Sequence, residues 1–377
     1  MNITGYPYFN TMPSSPEGKQ SFTASRQNKM SDSFELQNNV NFTGKKPTVR
    51  YKTIEEIYTS IDGLHDPYSE VIMISKKGFK LFKEKAKRSY NSDSMLKLLN
   101  NYQQHLFEPE KQMLEIFTQK TREAKMADPK EAKHLNFQMI LQEMLPQAKK
   151  QLKPEQRQVL EDMKKVSMEM SENSRKVLEP LFKKTSEQIE NDTFRIQPTI
   201  KEFESLRKQI PENKLFNNLI ETSAHFPSSA TSATAFIVKH ANESHEEIAI
   251  AMIKPSLISI EHIQPKSKRG ASSAENYIAA STRMNNLRKS LSLPKLIRRY
   301  PKIPEYTQMY FDGLINKVNR GGVRKIGVTL PDVKETLFEE SKHFIDVNID
   351  ALSPQIVKQN NSIKSKLDEL LDFFSYK

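Results

Sequence analysis

SLISIEHIQPKSKRGASSAENYIAASTRMNNLRKS, residues 256–290, carries the clearest structural pattern in the chain. Its start, up to Ile263, is an apolar and β-branched run that predicts a short buried strand. A basic turn, KSKRG, follows, and the segment from Asn276 to Ser281 predicts a second strand. Thr282 can cap a helix that continues through RMNNLRKSL. The segment therefore predicts a strand, a loop, a second strand and a helix in that order.

Glu261 and His262 are adjacent ionisable residues at the end of the first predicted strand. An ionisable pair inside an apolar strand is costly to bury unless it has partners or a chemical role. A lone histidine in this position is more often structural than catalytic. The residues around the pair therefore decide how it is interpreted.

Those residues resemble the HNH, or His-Me finger, endonuclease family, whose fold is a ββα-metal finger. The family pattern is Asp/Glu-His-Ile-x-Pro-x-Ser, a Gly-containing turn, an Asn that opens the second strand, and Asn-x-x-Lys on the helix. The matching positions are Glu261, His262, Ile263, Pro265, Ser267, Gly270, Asn276, Asn286 and Lys289. The resemblance covers residues 256–290 and leaves the rest of the chain without a motif.

The resemblance implies a role for each polar residue. His262 would be the general base that deprotonates a water for in-line attack on phosphorus, a task suited to neutral imidazole. Asn276 would belong to the catalytic set by holding the loop and orienting the histidine. Glu261 and Asn286 would be the metal ligands. Asn285 is the alternate ligand, because a register shift of one residue is open.

The implied cofactor is one divalent metal ion, with Mg²⁺ as the first choice and Mn²⁺ as the alternative. A carboxylate and an amide oxygen are ligands that such hard cations prefer. Glu261 stands where the family more often has Asp, which adds a methylene. The chain has no cysteine, so the structural zinc site found in many family members is excluded. The neighbouring helices would have to hold the module instead.

The positive charge of the chain favours a polyanionic partner, since each neutralised phosphate releases counterions. The formal net charge is +12, and Lys254 to Lys302 contains eleven Lys or Arg against two acidic residues, a net of 11 − 2 = +9. We expect nucleic acid, DNA rather than RNA, with little sequence specificity. The residues expected to face phosphates are Lys266, Lys268, Arg269, Arg283, Arg288 and Lys289.

The composition, low in Gly and Trp and rich in charge, suits exposed amphipathic helices. The predicted fold class is mainly α with an embedded ββα-metal (HNH) finger, α+β overall. We divide the chain into a disordered tail (1–48), a mostly helical region (49–225), the HNH nuclease module (226–303) and a helical C-terminal segment (304–377). Helix or strand is undecided from Thr53 to about Phe82.

One apolar stripe recurs at steps of three, four or seven within the helical region, which predicts a helix packed in a bundle or hairpin. The stripe comprises Val159, Met163, Val166, Met170, Val177 and Leu181. Five prolines mark helix starts, kinks or ends: Pro109, Pro129, Pro146, Pro154 and Pro180. Neither a signal peptide nor a membrane-spanning apolar run is evident. We therefore expect a cytoplasmic location and no membrane partner.

The expected function is metal-dependent hydrolysis of phosphodiester bonds by an HNH-type endonuclease. Two alternatives belong to other classes of protein. One is a catalytically inactive HNH-derived protein that binds DNA or RNA, and the other is an interaction protein whose long helices do the work. The oligomeric state is open, although cutting both strands of a duplex would favour a homodimer.

Overall fold

The computed structural model of the protein describes residues 53–265, 269–288, 291–321, 323–359, 361–362 and 365. The predicted tail (1–48) lies outside the described residues, as does most of the chain after residue 359. The described chain is mainly helical with one two-stranded sheet, so the expectation of a mainly α protein is confirmed.

The secondary structure can be given by its bounds. The α-helices of the described residues are α1 (Ile54–Tyr58), α2 (Lys76–Ala86), α3 (Ser92–Asn100), α4 (Glu108–Ala127), α5 (Phe137–Met168), α6 (Glu172–Glu190), α7 (Ile196–Ser205), α8 (Asn213–Ser223), α9 (Ala233–His240), α10 (His245–Ile253), α11 (Thr282–Arg288), α12 (Leu293–Arg299), α13 (Ile303–Asn319) and α14 (Arg324–Glu340). The strands are β1 (Ile258–His262) and β2 (Tyr277–Ser281).

Contacts group the described chain into two compact units. One, the helical unit, comprises residues 80–255. The other, the two-segment unit, combines residues 53–79 with the described residues from 256 onward. Helix α2 is shared between them. This grouping joins segments that are far apart in sequence, which local patterns cannot anticipate.

The helical unit is built around α5, which packs against α6, α8 and α9. The predicted apolar stripe lies in a hairpin, as expected, but it is divided between α5 and α6, and Val159, Val166 and Val177 are only partly buried. Its members Met163, Met170 and Leu181 lie in one core cluster with residues of α7 and α8. The chain turns after α5, and the Ser171 hydroxyl accepts a hydrogen bond from Ser174 N–H to cap α6.

Pro129 follows the end of α4, as the sequence predicts, whereas the prolines inside α5 and α6 do not end those helices. Pro109 lies in the first turn of α4, where a missing N–H costs nothing. Pro146 and Pro154 lie inside α5, and Pro180 lies inside α6. The helices continue through these positions because their apolar faces are held by the core of the unit.

The sheet of the two-segment unit is an antiparallel hairpin of β1 and β2. Glu261 lies opposite Ile278, and His262 lies opposite Tyr277. A second chain segment joins the start of β1. The Ile74 N–H donates to the Ser256 carbonyl at 3.0 Å, and Ile258 N–H donates to the Ile74 carbonyl at 2.9 Å. The segment whose structure the sequence left undecided is therefore part of the support of the hairpin.

Helix α11 follows β2 directly and packs along β1. Its first residue, Thr282, bonds to the Leu257 carbonyl through both its N–H (2.8 Å) and its hydroxyl (2.7 Å). The two strands and the helix occupy the positions that the sequence predicts, although the hydroxyl of Ser281, and not that of Thr282, accepts the Met284 N–H at 3.2 Å in the first turn of the helix. We call residues 258–288 the ββα segment.

Candidate active site

Asn276 fixes the loop that joins the two strands. Its side-chain oxygen accepts the Gln264 N–H at 2.7 Å, and its amide nitrogen donates to the carbonyls of Gln264 (3.1 Å) and Ala271 (2.7 Å). The residue is buried. Its backbone carbonyl also accepts the N–H of Ile263, the residue after His262. Asn276 thus holds both ends of the loop beside the predicted catalytic histidine.

Gly270 is required by the same close packing. A Cβ at this position would overlap the carbonyl oxygen of Gln264 and lie 3.0 Å from the Asn276 amide nitrogen. The preceding residue, Arg269, has a left-handed backbone with φ of 66°. The glycine of the motif is therefore explained by lack of space as well as by the turn.

His262 is half-buried at the end of β1. Its ring packs edge-to-face against its cross-strand neighbour Tyr277, with ring centroids 4.8 Å apart. Its backbone carbonyl accepts a hydrogen bond from Arg288 at 2.9 Å. The strand end and the tyrosine together limit where the imidazole can point.

Glu261 forms a buried ion pair with Arg288, whose Nη1 lies 2.8 Å from its Oε1. The glutamate is 3% exposed and the arginine 0% exposed. Burial raises the pKa of Glu261 to about 8, although the positive charge of Arg288 lowers it. The same guanidinium donates to the Tyr68 hydroxyl (3.1 Å) and to the Ile263 carbonyl.

A second buried carboxyl lies in the same unit. The Ser281 hydroxyl donates to Asp66 Oδ2, and the Tyr68 N–H donates to Asp66 Oδ1 at 3.0 Å. Burial raises the pKa of Asp66 to about 6 against these hydrogen bonds, and its charge in turn raises the pKa of Glu261. The segment around residue 66 therefore supplies both a carboxyl and a phenol to the surroundings of the ββα segment.

Arg288 does not lie where the sequence led us to expect it. We expected it to face phosphate, yet its side chain is fully buried and bonded to three carbonyl or carboxylate groups and a hydroxyl. The helix turns this residue toward β1, so the arginine is structural in this arrangement. Arg269 is exposed and Arg283 is half-buried. Lys266, Lys268 and Lys289 lie outside the described residues.

The two candidate asparagines differ in environment. Asn285 is half-buried, and its amide nitrogen donates to the Ser259 hydroxyl (3.0 Å) and to the Ile260 carbonyl (2.8 Å) of β1. Asn286 is exposed. The choice between them as a metal ligand stays a prediction, with Asn285 the one that lies against the strand.

The fit of a cation to Glu261 rests on its second oxygen. Oε1 is held by Arg288, whereas Oε2 is buried and accepts no hydrogen bond from any described residue. A buried oxygen of this kind is an atom that a cation could satisfy. The described residues contain no group of three or more His, Asp or Glu side chains arranged to hold a metal ion. The metal ligands predicted from the sequence are one carboxylate and one amide, so they would not form a group of that kind.

Sequence reasoning missed the roles of Asp66 and Tyr68. Both lie about 200 residues before the strands that they support. The only local signal was the loop DGLHDPYSE, which predicts a turn and no partner.

No described helix is both long and apolar enough to span a bilayer. Comparisons of the chain with models of known protein families, with curated proteins and with solved structures found no match.

Proposed function

We propose that the protein is an HNH-type endonuclease that hydrolyses phosphodiester bonds in nucleic acid, DNA in preference to RNA. The observation that carries the proposal is the set of three hydrogen bonds from the Asn276 side chain. They hold the loop beside His262, which is the role that the resemblance assigns to the middle asparagine of the motif.

In this mechanism His262 takes the proton from the attacking water. The ring is half-buried at the end of β1, and its Nε2 has almost no exposed surface. Arg288 holds the backbone directly after the His262 side chain, through the carbonyls of His262 and Ile263. The chain therefore positions the base from its backbone, and Tyr277 restricts its ring.

A divalent ion, when bound, would stabilise negative charge on the scissile phosphate. Glu261 would hold it through Oε2, together with one of the two asparagines. The neighbouring Arg288 charge works against cation binding, so the affinity is expected to be low without substrate. The variants Asn285→Ala and Asn286→Ala distinguish the two candidate ligands. Only replacement of the true ligand should raise the Mg²⁺ concentration needed for cleavage.

One observation favours a second function, that of an inactive protein that binds nucleic acid. The predicted metal ligand Glu261 is already neutralised by Arg288 inside the protein. A module that keeps its structure without metal would need such an internal cation. In that case the protein would retard DNA and never cut it.

Plasmid cleavage distinguishes the two functions. The purified protein is incubated with plasmid in Mg²⁺, in Mn²⁺ and in EDTA, beside His262→Ala and His343→Ala. The second variant removes an exposed histidine of the same unit and is the matched control. We expect metal-dependent cutting that is lost only in His262→Ala. Equal cutting by His262→Ala would refute the catalytic role, and binding without cutting would establish the inactive alternative.

A further inference from the structure

Helix α2 and the turn after it form the second concentration of positive charge in the chain. Residues 76–88 contain seven Lys or Arg and one acidic residue, Glu84, a net of 7 − 1 = +6. All seven basic residues are exposed, while Phe82 and Ala86 are buried at 0% and 1%. The helix is therefore anchored by its apolar side and presents its charge to solvent.

Four of the lysines form one stripe, which we call the α2 stripe: Lys76, Lys80, Lys83 and Lys87. They recur at steps of four, three and four, which is the spacing of one helix face. The helical hydrogen-bond pattern reaches the last of them, since the Lys87 N–H donates to the Lys83 carbonyl at 3.1 Å. The stripe is thus continuous over three turns of the chain.

Most basic residues of this helix have no ion pair with a carboxylate among the described residues. Among the described residues no carboxylate forms an ion pair with Lys76, Lys80 or Lys87, nor with Lys77 or Lys85. Lys76 and Lys80 are four residues apart, and like charges at that spacing destabilise a helix. An external polyanion would relieve this repulsion.

Basic residues on the long helices α5 and α6 differ from those of α2, because most of them form ion pairs. Seven of the ten basic residues on α5 and α6 pair with nearby carboxylates: Lys149 and Lys153 with Asp192, Arg157 with Glu190, Lys164 with Glu161, Lys165 with Asp162, Lys176 with Glu172, and Lys184 with Glu202. These pairs leave little net charge for a partner.

The start of α2 is held beside the start of the hairpin. Ile74, two residues before the helix, pairs with Ser256 and Ile258 through backbone hydrogen bonds. The Ser75 hydroxyl accepts the Gly78 N–H at 3.0 Å and caps the first turn. The first turn of α2 is therefore anchored within the two-segment unit.

We propose that the α2 stripe binds the phosphate backbone of nucleic acid without reading its sequence. A regular row of lysines on a rigid helix matches a regular polyanion, and such contacts add affinity and position the duplex. The inference does not require His262 to be catalytic. It assigns a nucleic-acid contact to a helix outside the predicted nuclease module.

The test is binding of a short mixed-sequence DNA duplex to the full-length protein, measured by fluorescence anisotropy over a series of salt concentrations in EDTA. The stripe variant carries Lys76→Gln, Lys80→Gln, Lys83→Gln and Lys87→Gln. The control carries Lys164→Gln, Lys165→Gln, Lys176→Gln and Lys184→Gln, which lowers the net charge equally at ion-paired positions. A third protein carries arginine at the four stripe positions.

We expect the stripe variant to lose affinity about tenfold or more at fixed salt, with the slope of log K against log salt reduced by about 0.9 for each lost phosphate contact. The control and the arginine protein should bind like the native chain. Circular dichroism of each variant verifies that the helices are retained.

Binding of the same proteins to vesicles of anionic lipid is measured in parallel. Three outcomes would overturn the inference: unchanged DNA affinity in the stripe variant, an equal loss of DNA affinity in the control, or a loss of vesicle binding alone with DNA binding intact. Repeating the series in the His262→Ala protein keeps this inference separate from the nuclease proposal. Binding there should depend on the stripe even if no variant ever cuts DNA.

Discussion

At the scale of single residues, Arg288 has the largest predicted effect on stability. Its guanidinium is buried and bonded to Glu261, Tyr68 and two backbone carbonyls. Replacing it by methionine leaves a buried carboxyl and two buried carbonyls without their donor. We expect Arg288→Met to lower the free energy of unfolding by about 3–5 kcal/mol, measured by urea denaturation.

The double variant Glu261→Leu, Arg288→Met is the control for that experiment. Removing both charged groups takes away the uncompensated carboxyl, so part of the lost stability should return. An Arg288→Met protein as stable as the native chain would contradict the buried ion pair.

The buried carboxyl of Asp66 predicts how the stability of the protein depends on pH. Its pKa is raised from 3.8 to about 6 in the folded protein, so the folded state holds the proton more tightly than the unfolded state. The stability from this group is present below pH 3.8 and is lost as the pH rises through about 6. The unfolding free energy of the native protein should fall relative to Asp66→Asn by up to about 3 kcal/mol over that window.

Urea denaturation of both proteins across the pH range measures this difference. Asp350→Asn, which changes an exposed carboxyl of the same unit, is the matched control. A constant gap between native and Asp66→Asn at every pH would contradict the burial of an ionisable Asp66.

At the scale of elements, alanine substitutions at two glycines of the two-segment unit should have opposite effects on stability. A Cβ on Gly270 would overlap the Gln264 carbonyl, whereas one on Gly313, inside α13, would meet only Leu64 Cδ2 at 3.5 Å. Gly270→Ala should open the loop and lower the melting temperature. Gly313→Ala should raise stability by about 0.5–1 kcal/mol, since alanine is the better helix former.

Differential scanning calorimetry of both variants provides the comparison. The proposed nuclease activity should fall with Gly270→Ala and persist with Gly313→Ala, because only the first disturbs the loop held by Asn276. A Gly270→Ala protein with native stability would mean that the loop is not closely packed.

At the scale of the whole molecule, the two-segment unit depends on residues 53–79. This segment supplies Ile74 to the edge of β1, Asp66 to Ser281 and Tyr68 to Arg288. Deleting residues 53–79 should therefore remove hydrogen-exchange protection from β1 and β2, measured by mass spectrometry. Retained protection of both strands in the deletion variant would contradict this dependence.

Much of the local structure could be predicted from the sequence, because its causes are local. The apolar run, the turn residues and the helix start expected at Thr282 predicted the order and positions of β1, β2 and α11. The mainly helical fold class followed from composition and apolar spacing in the same way.

The surroundings of the candidate site were decided only by the tertiary structure. The sequence assigned Arg288 to phosphate because the residue is basic and lies on the predicted helix. Packing turns it inward to Glu261 instead, since a buried carboxyl needs a cation and a neighbouring helix provides one. Asp66 and Tyr68 join this cluster from a segment about 200 residues away. Spacing along the chain determines strands, turns and caps, whereas the partner of a buried charge is determined by which segments pack together.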